Sequence, residues 1–247
     1  MTEPLSLEEA RRYARHIVLK GVGGEGQQKL KAAKVAVIGA GGLGSPVIAY
    51  LVAAGIGTIA VIDDDEVSLS NLQRQIVHTN ADIGRPKTES AQDFAAGLNP
   101  HVAVIAVTKR LDRDNALDVL RGYDLIVEGT DRFDTRVIVA EAGETLAVPV
   151  VSGAVSMFDG QVTVFAPHLA DAAGRSYPRF RDLYPDDPEE GDLPSCEVVG
   201  VLGAVTGVIG TLMAMEAIKL VTGLGEPLLG RMQLYDGRAA RFTELAY

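Results

Sequence analysis

Residues 34–63 constrain the fold more than any other stretch of the chain. An apolar run over 34–38 meets Gly39-Ala40-Gly41-Gly42-Leu43-Gly44. A helical stretch follows over 45–54, and a second apolar run over 58–62 ends in Asp63-Asp64-Asp65-Glu66. Strand, glycine turn, helix, strand and acid in that order describe a nucleotide-binding βαβ unit. Glycines let the backbone approach a phosphate and leave the amides of a helix N-terminus facing it. Pro46 falls in the first turn of that helix, where its missing N–H has no partner to lose. Taken alone, the spacing of Gly39, Gly41 and Gly44 also suits a plain tight turn. With Asp63 as acceptor for ribose hydroxyls, it suits an NAD-dependent oxidoreductase as well as an ATP enzyme.

The rest of the chain continues the alternation. A capping box, Ser6-Leu7-Glu8-Glu9, opens a helix that runs to about residue 20, and a glycine-rich loop covers 21–26. Helices are expected over 87–98, 115–121 and 135–146, and strands over 102–107, 124–127, 149–151, 161–165, 232–235 and 241–245. Residues 167–194, rich in proline and charge, read as irregular. The pattern implies one α/β domain of Rossmann-like type: a mainly parallel sheet with helices on both faces, extended by C-terminal strands. Residues 198–215 carry no charge and reach the lower limit of a membrane span. Glu216 and Lys219 follow at once and no basic cluster flanks the run, so a helix over 198–221, buried on all faces, is the preferred reading. Gly200, Gly203, Gly207 and Gly210 recur there at helical spacing, suited to close approach of another backbone within the fold or across a dimer.

A net charge of −10 repels polyphosphate backbones and argues against nucleic acid as a partner. Any phosphate ligand must then be held by a local cluster of cations. Asn71, Arg74 and Lys87 supply one after the second strand, more positive charge than a dinucleotide calls for and suited to pyrophosphate leaving a triphosphate. Asp131 ends a predicted strand on the edge where open α/β sheets bind ligands; it suits Mg²⁺ or, alternatively, the N-cap of the next helix. His16, His78, His101 and His168 are scattered and read as surface or structural residues. The single cysteine, Cys196, excludes an internal disulfide. The polar N-terminus has no secretory pattern, so a cytoplasmic protein with no membrane association is expected.

Longer stretches resemble the ThiF/MoeB/HesA family, bacterial relatives of ubiquitin-activating enzymes. They are Arg12-Tyr13-Ala14-Arg15, GAGGLGSP from Gly39, IDDDEVSLSNLQRQ from Ile62, GRPK from Gly84, GTDRFDTR from Gly129, SGAVSMFDGQVTVF from Ser152 and SCEVVGVLG from Ser195. The resemblance implies one adenylyltransferase domain over 1–247, with a helical arm (5–33), a nucleotide-binding core (34–150) and a carrier-binding part (151–247). It implies ATP bound by Gly39, Gly41, Gly42, Gly44, Asp63, Asp65, Ser70, Asn71, Arg74, Lys87, Asp131 and Arg132, with Mg²⁺ on Asp131. Arg15, Arg74, Lys87 and Asp131 are the implied catalytic set, Arg15 reaching into the partner's site of a homodimer. The implied substrate is the C-terminal Gly-Gly carboxylate of a ubiquitin-like sulfur carrier, ThiS-like or MoaD-like, leaving as an acyl-adenylate. Molybdopterin, thiamine and tRNA-thiolation pathways share that step. Activation of a small-molecule or tRNA-linked carboxylate and a non-catalytic half of a heterodimer are the competing readings.

Three departures from the family pattern stand out. The first of the family's two zinc-binding C-x-x-C pairs reads Ser176-Tyr177-Pro178-Arg179 here and the second is missing, so no zinc is expected. The usual T-D-N reads Thr130-Asp131-Arg132, and a frequent Asn on the following helix is Ala140. Cys196 aligns with a cysteine that joins the carrier covalently in some relatives; a buried packing role is the alternative.

Overall fold

The computed structural model describes residues 4–188 and 199–247. Its framework is an eight-stranded sheet in the order β3-β2-β1-β4-β5-β6-β7-β8. Strands β1 (Lys34–Ile38), β2 (Thr58–Ile62), β3 (Ala103–Val107), β4 (Leu125–Glu128) and β5 (Val150–Ser156) pair in parallel. Strands β6 (Asp159–Phe165), β7 (Arg231–Asp236) and β8 (Arg241–Ala246) continue the sheet antiparallel. Central strands are buried on both faces, which is why they read as unbroken apolar runs.

Strand alternation divides the core in two. Val35, Val37, Ile59, Val61, Leu125 and Val127 face one side, packed by α3 (Gly23–Ala32), α4 (Gly44–Ala54), α5 (Lys87–Leu98) and the long apolar helix. Ala36, Ile38, Ala60, Ile62 and Ile126 face the other, under α6 (Ala116–Leu120) and α7 (Phe133–Leu146). On that side α8 (Phe180–Leu183) adds an aromatic cluster, with ring centroids 5.3 Å apart for Phe165–Phe180 and 4.9 Å for Phe180–Tyr184. Part of the 167–194 stretch expected to be irregular is therefore helical and anchored by Phe180. The 189–194 part lies outside the described residues.

The N-terminal helix is shorter than expected. Its capping box forms, Ser6 and Glu9 exchanging bonds of 2.7 and 3.1 Å. But α1 (Leu7–Arg12) stops at Tyr13, and α2 covers only Ala14–Ile17. Tyr13 turns inward: its ring occupies the space a side chain at Gly55 would need, and its hydroxyl accepts from Asn99 Nδ2 at 2.8 Å. The expected 21–26 loop is likewise partly helix, since α3 starts at Gly23. A side chain at Gly26 would press on Val22, so packing offsets glycine's poor helix propensity.

The apolar helix, α9 (Gly203–Thr222), begins five residues later than expected. It is long and apolar enough to cross a membrane, yet it packs on the sheet and on α4. It is not buried on all faces: Val205, Ile209, Met213 and Ala217 face the core, while Ala204, Thr211 and Met215 are exposed. Gly210 lets it touch Pro46 and the Leu43 carbonyl, and Gly203 lets it touch the Gln73 carbonyl; both close approaches lie within the fold. Pressure from this helix also explains why β5 and β6 were only half legible. Gly153 and Gly160 look unlike strand residues, but Met213 and Ile209 of α9 fill the space over them.

Candidate active site

Strand order reverses direction between β1 and β4, and a cleft opens there at the C-terminal ends of the parallel strands, the usual ligand position in an open α/β sheet. Its volume is about 280 Å³. Gly39 leaves β1 with φ +90°, a conformation that favours glycine, and its amide donates to the Ile62 carbonyl at 2.8 Å. Gly41 and Gly42 line the cleft floor. A side chain on Gly42 would crowd Thr206 and the Arg74 stem, so this glycine serves packing as much as ligand approach. Gly44 does not line the cleft; it lets the start of α4 rest on the Gly39 carbonyl.

Asp63 ends β2. Its Oδ2 accepts from the Ala40 amide at 2.7 Å and its Oδ1 from the Asp65 amide at 2.8 Å. Burial raises its pKa, and the charge of Lys87 works against that rise. Lys87 opens α5, buried, with Nζ 2.7 Å from Asp65 Oδ2. Asn71 and Arg74 come from the 3₁₀ turn and loop after β2. Asn71 Oδ1 takes the Ser68 amide at 3.2 Å, and Arg74 Nη1 reaches the Ser70 carbonyl at 3.2 Å. Ser70 itself lies off the cleft lining and reaches it only through Arg74.

Asp131 is exposed on the cleft edge beyond β4. It does not cap α7: Arg132 holds the N-cap position without a side-chain bond, and Asp134 takes the Thr135 amide at 2.9 Å. Arg132 grips Asp134 with two bonds of 3.2 and 3.0 Å, and that contact raises its pKa. Arg15 is exposed on α2, away from the cleft of its own chain. Cys196 falls outside the described residues.

Two sets of cleft residues were not foreseen. Lys109 and Arg110 follow β3 on the same strand-end edge that pointed to Asp131, so the edge rule would have found them. Arg136, on the first turn of α7, donates from Nη2 to the Thr130 carbonyl at 2.7 Å and places Nε 3.7 Å from Glu128 Oε2. Glu128 is fully buried; its Oε1 accepts from the Thr130 amide and hydroxyl, each at 2.7 Å, and Oε2 from Ser152 Oγ at 3.1 Å. Burial pushes its pKa up while Arg136 pulls it down. Six basic side chains (Arg74, Lys87, Lys109, Arg110, Arg132, Arg136) face four acidic ones (Asp63, Asp64, Asp65, Asp131) across the cleft. Glu128 and Asp134 pair with Arg136 and Arg132 from just behind this lining, so the cations gathered here are held among carboxylates in a protein of charge −10.

A wider groove of about 1280 Å³ adjoins the cleft, running over β5–β8 and the Phe180–Tyr184 cluster. Asp131, Arg136 and Val155 line both spaces. A second ligand in the groove would therefore meet the nucleotide at these residues.

The family model described as ThiF family matches residues 13–247. The chain belongs to the ThiF family. Among curated ThiF-family relatives, the sulfur carrier protein adenylyltransferase of Thermus thermophilus is 48% identical over 238 residues, covering 96% of this chain and 87% of the relative. The probable adenylyltransferase/sulfurtransferase MoeZ of Mycobacterium tuberculosis is 48% identical over 232 residues, 94% of this chain but only 58% of the relative. Among solved structures, that of PaaA superposes with TM-score 0.82 at 23% identity, covering all of this chain and 76% of PaaA, a likeness in fold.

Proposed function

We propose that this protein is an ATP-dependent adenylyltransferase that activates the C-terminal carboxylate of a ubiquitin-like sulfur carrier. The observation that carries this reading is the junction of a cation-lined cleft with a second groove at Asp131 and Arg136. The close relative from Thermus thermophilus is named for the same activity. The carrier's tail lies in the groove and its carboxylate attacks the α-phosphorus. A new C–O–P linkage forms, the α–β phosphoanhydride bond breaks, and pyrophosphate leaves with the electron pair. A carboxylate of pKa about 3.5 is already ionised at neutral pH, so no general base is required. The protein's task is to bring two anions together and spread the charge of the leaving group, a role this reading assigns to Arg74, Lys87 and Arg136, which line the cleft. Glycine-loop amides and Asp63 hold the nucleotide.

Asp131, exposed at the cleft edge, suits a magnesium ion, which would neutralise phosphate charge when bound. Arg15, exposed and outside the lining of its own cleft, is assigned to the site of a second copy in a homodimer. Carriers of molybdopterin, thiamine or tRNA-thiolation sulfur transfer share this chemistry.

The test is carrier-dependent exchange of labelled pyrophosphate into ATP. Arg74→Ala and Asp131→Ala are expected to lower the exchange rate by about 10²-fold or more, the scale for one electrostatic stabiliser. Wild-type chain that gives no exchange with any such carrier would refute the reading.

A further inference from the structure

His78 is buried beside the nucleotide cleft, 5% exposed, without lining it. Its ring joins two elements. Nδ1 lies 2.8 Å from Ser90 Oγ on α5, and Nε2 lies 2.9 Å from the Ala40 carbonyl oxygen in the glycine loop. On its other side Ala40 donates its amide to Asp63 at 2.7 Å. The residue between Gly39 and Gly41 is therefore gripped at both backbone polar groups.

A carbonyl only accepts, so Nε2 carries the proton, and in the neutral ring Nδ1 accepts from the Ser90 hydroxyl. The charged groups facing the ring are Lys87, Asp82 and Asp63. Burial, reinforced by Lys87, keeps the imidazole in its neutral form.

Peptide planarity makes this contact matter for the ligand. The Ala40 carbonyl and the Gly41 N–H belong to one trans peptide plane and point in opposite directions. With the carbonyl held toward buried His78, the Gly41 N–H points the other way, toward the cleft Gly41 lines. No described residue accepts a bond from that amide. Gly41, on one side of this plane, resists a peptide flip little, and a flip would replace the N–H with an oxygen facing an anion.

We propose that His78 is a positioning residue for nucleotide binding, its Nε2–H fixing the Ala40–Gly41 peptide so that the Gly41 amide faces the phosphates. The inference rests on the nucleotide reading of the cleft and is independent of the carrier.

Two variants of the full chain test it by calorimetry with a non-hydrolysable ATP analogue and Mg²⁺. His78→Phe keeps the ring but has no donor; His78→Gln carries an amide N–H that can reach the same carbonyl. His78→Phe is expected to bind the analogue about tenfold more weakly and His78→Gln to stay within about threefold of wild type, a single hydrogen bond's worth. In pyrophosphate exchange, the loss should fall on KM for ATP rather than kcat. A folded His78→Phe that binds as wild type does overturns the proposal, and so does a His78→Gln as weak as His78→Phe. Imidazole ¹⁵N spectra of the wild type, which has four histidines, give a reading that needs no variant to fold. One buried ring must be neutral and protonated on Nε2, and an Nδ1-protonated His78 overturns the assignment. Failure of the wild type itself to bind the analogue would count against the nucleotide reading instead.

Discussion

Two buried carboxyls, Glu128 and Asp82, have their pKa values moved in opposite directions by their surroundings. Glu128 is desolvated, which raises its pKa against the opposing pull of Arg136 and three hydrogen-bond donors. Removing it strands the Thr130 amide and the Arg136 charge together. Glu128→Ala is expected to lower unfolding stability by about 3 kcal/mol or more, the cost of breaking a buried pair from one side, read as a shift in the urea midpoint. Asp82 lies on the other side of the balance. Burial raises its pKa, but the Thr79 hydroxyl and amide and Arg85 outweigh that, and the net shift is downward. A carboxyl whose folded pKa is below its unfolded value stabilises the fold above the unfolded pKa, about 3.9. That contribution is lost as pH falls through the folded pKa. Urea unfolding near pH 6 and near pH 3 should show a smaller acid-induced loss in Asp82→Asn than in wild type. Equal losses would mean that Asp82 does not carry this contribution.

Elements were legible where local pattern and tertiary packing agree. The helix over 87–98 forms with the bounds its sequence suggests, and β1 and β2 match residue for residue, because a strand buried on both faces must be apolar throughout. The site followed from the same logic, since glycines and charged residues at strand ends mark the ligand edge. What stayed hidden was set by partners distant in sequence. Tyr13 breaks a helix because Gly55 and Asn99 offer its ring and hydroxyl a place. Arg136 joined the cleft through the Thr130 carbonyl and Glu128, partners its own helical pattern does not reveal. Along α9 the glycines divide by packing. Gly210→Ala drives a methyl into Pro46 and the Leu43 carbonyl and should cost about 1–3 kcal/mol, as overpacking does. Gly207→Ala meets nothing within 4 Å in its own chain. It should leave the fold intact or raise helix stability by up to about 1 kcal/mol. Thermal unfolding of the two variants at low protein concentration separates them. A loss at Gly207 that matches Gly210 would contradict this division.

At the scale of the whole molecule, the chain is acidic while six cations line the cleft, so an anionic nucleotide finds its cationic partners in one place. The basic set of a single chain leaves Arg15 outside, exposed on α2 beyond the point where Tyr13 anchors the arm. If two copies exchange this arginine, each site needs Arg74 from one chain and Arg15 from the other, and defects in separate chains can complement. Arg15→Ala and Arg74→Ala preparations should each be nearly inactive in pyrophosphate exchange. Mixed in equal amounts and allowed to re-equilibrate, about half the dimers are hybrids, and each hybrid has one intact site of two. Activity should therefore return to about one quarter of wild type, the figure that two-fold symmetry dictates. Recovery near zero from a mixture shown by native mass to contain hybrids would place Arg15 outside the reaction. An Arg15→Ala preparation of near-normal activity on its own would do the same.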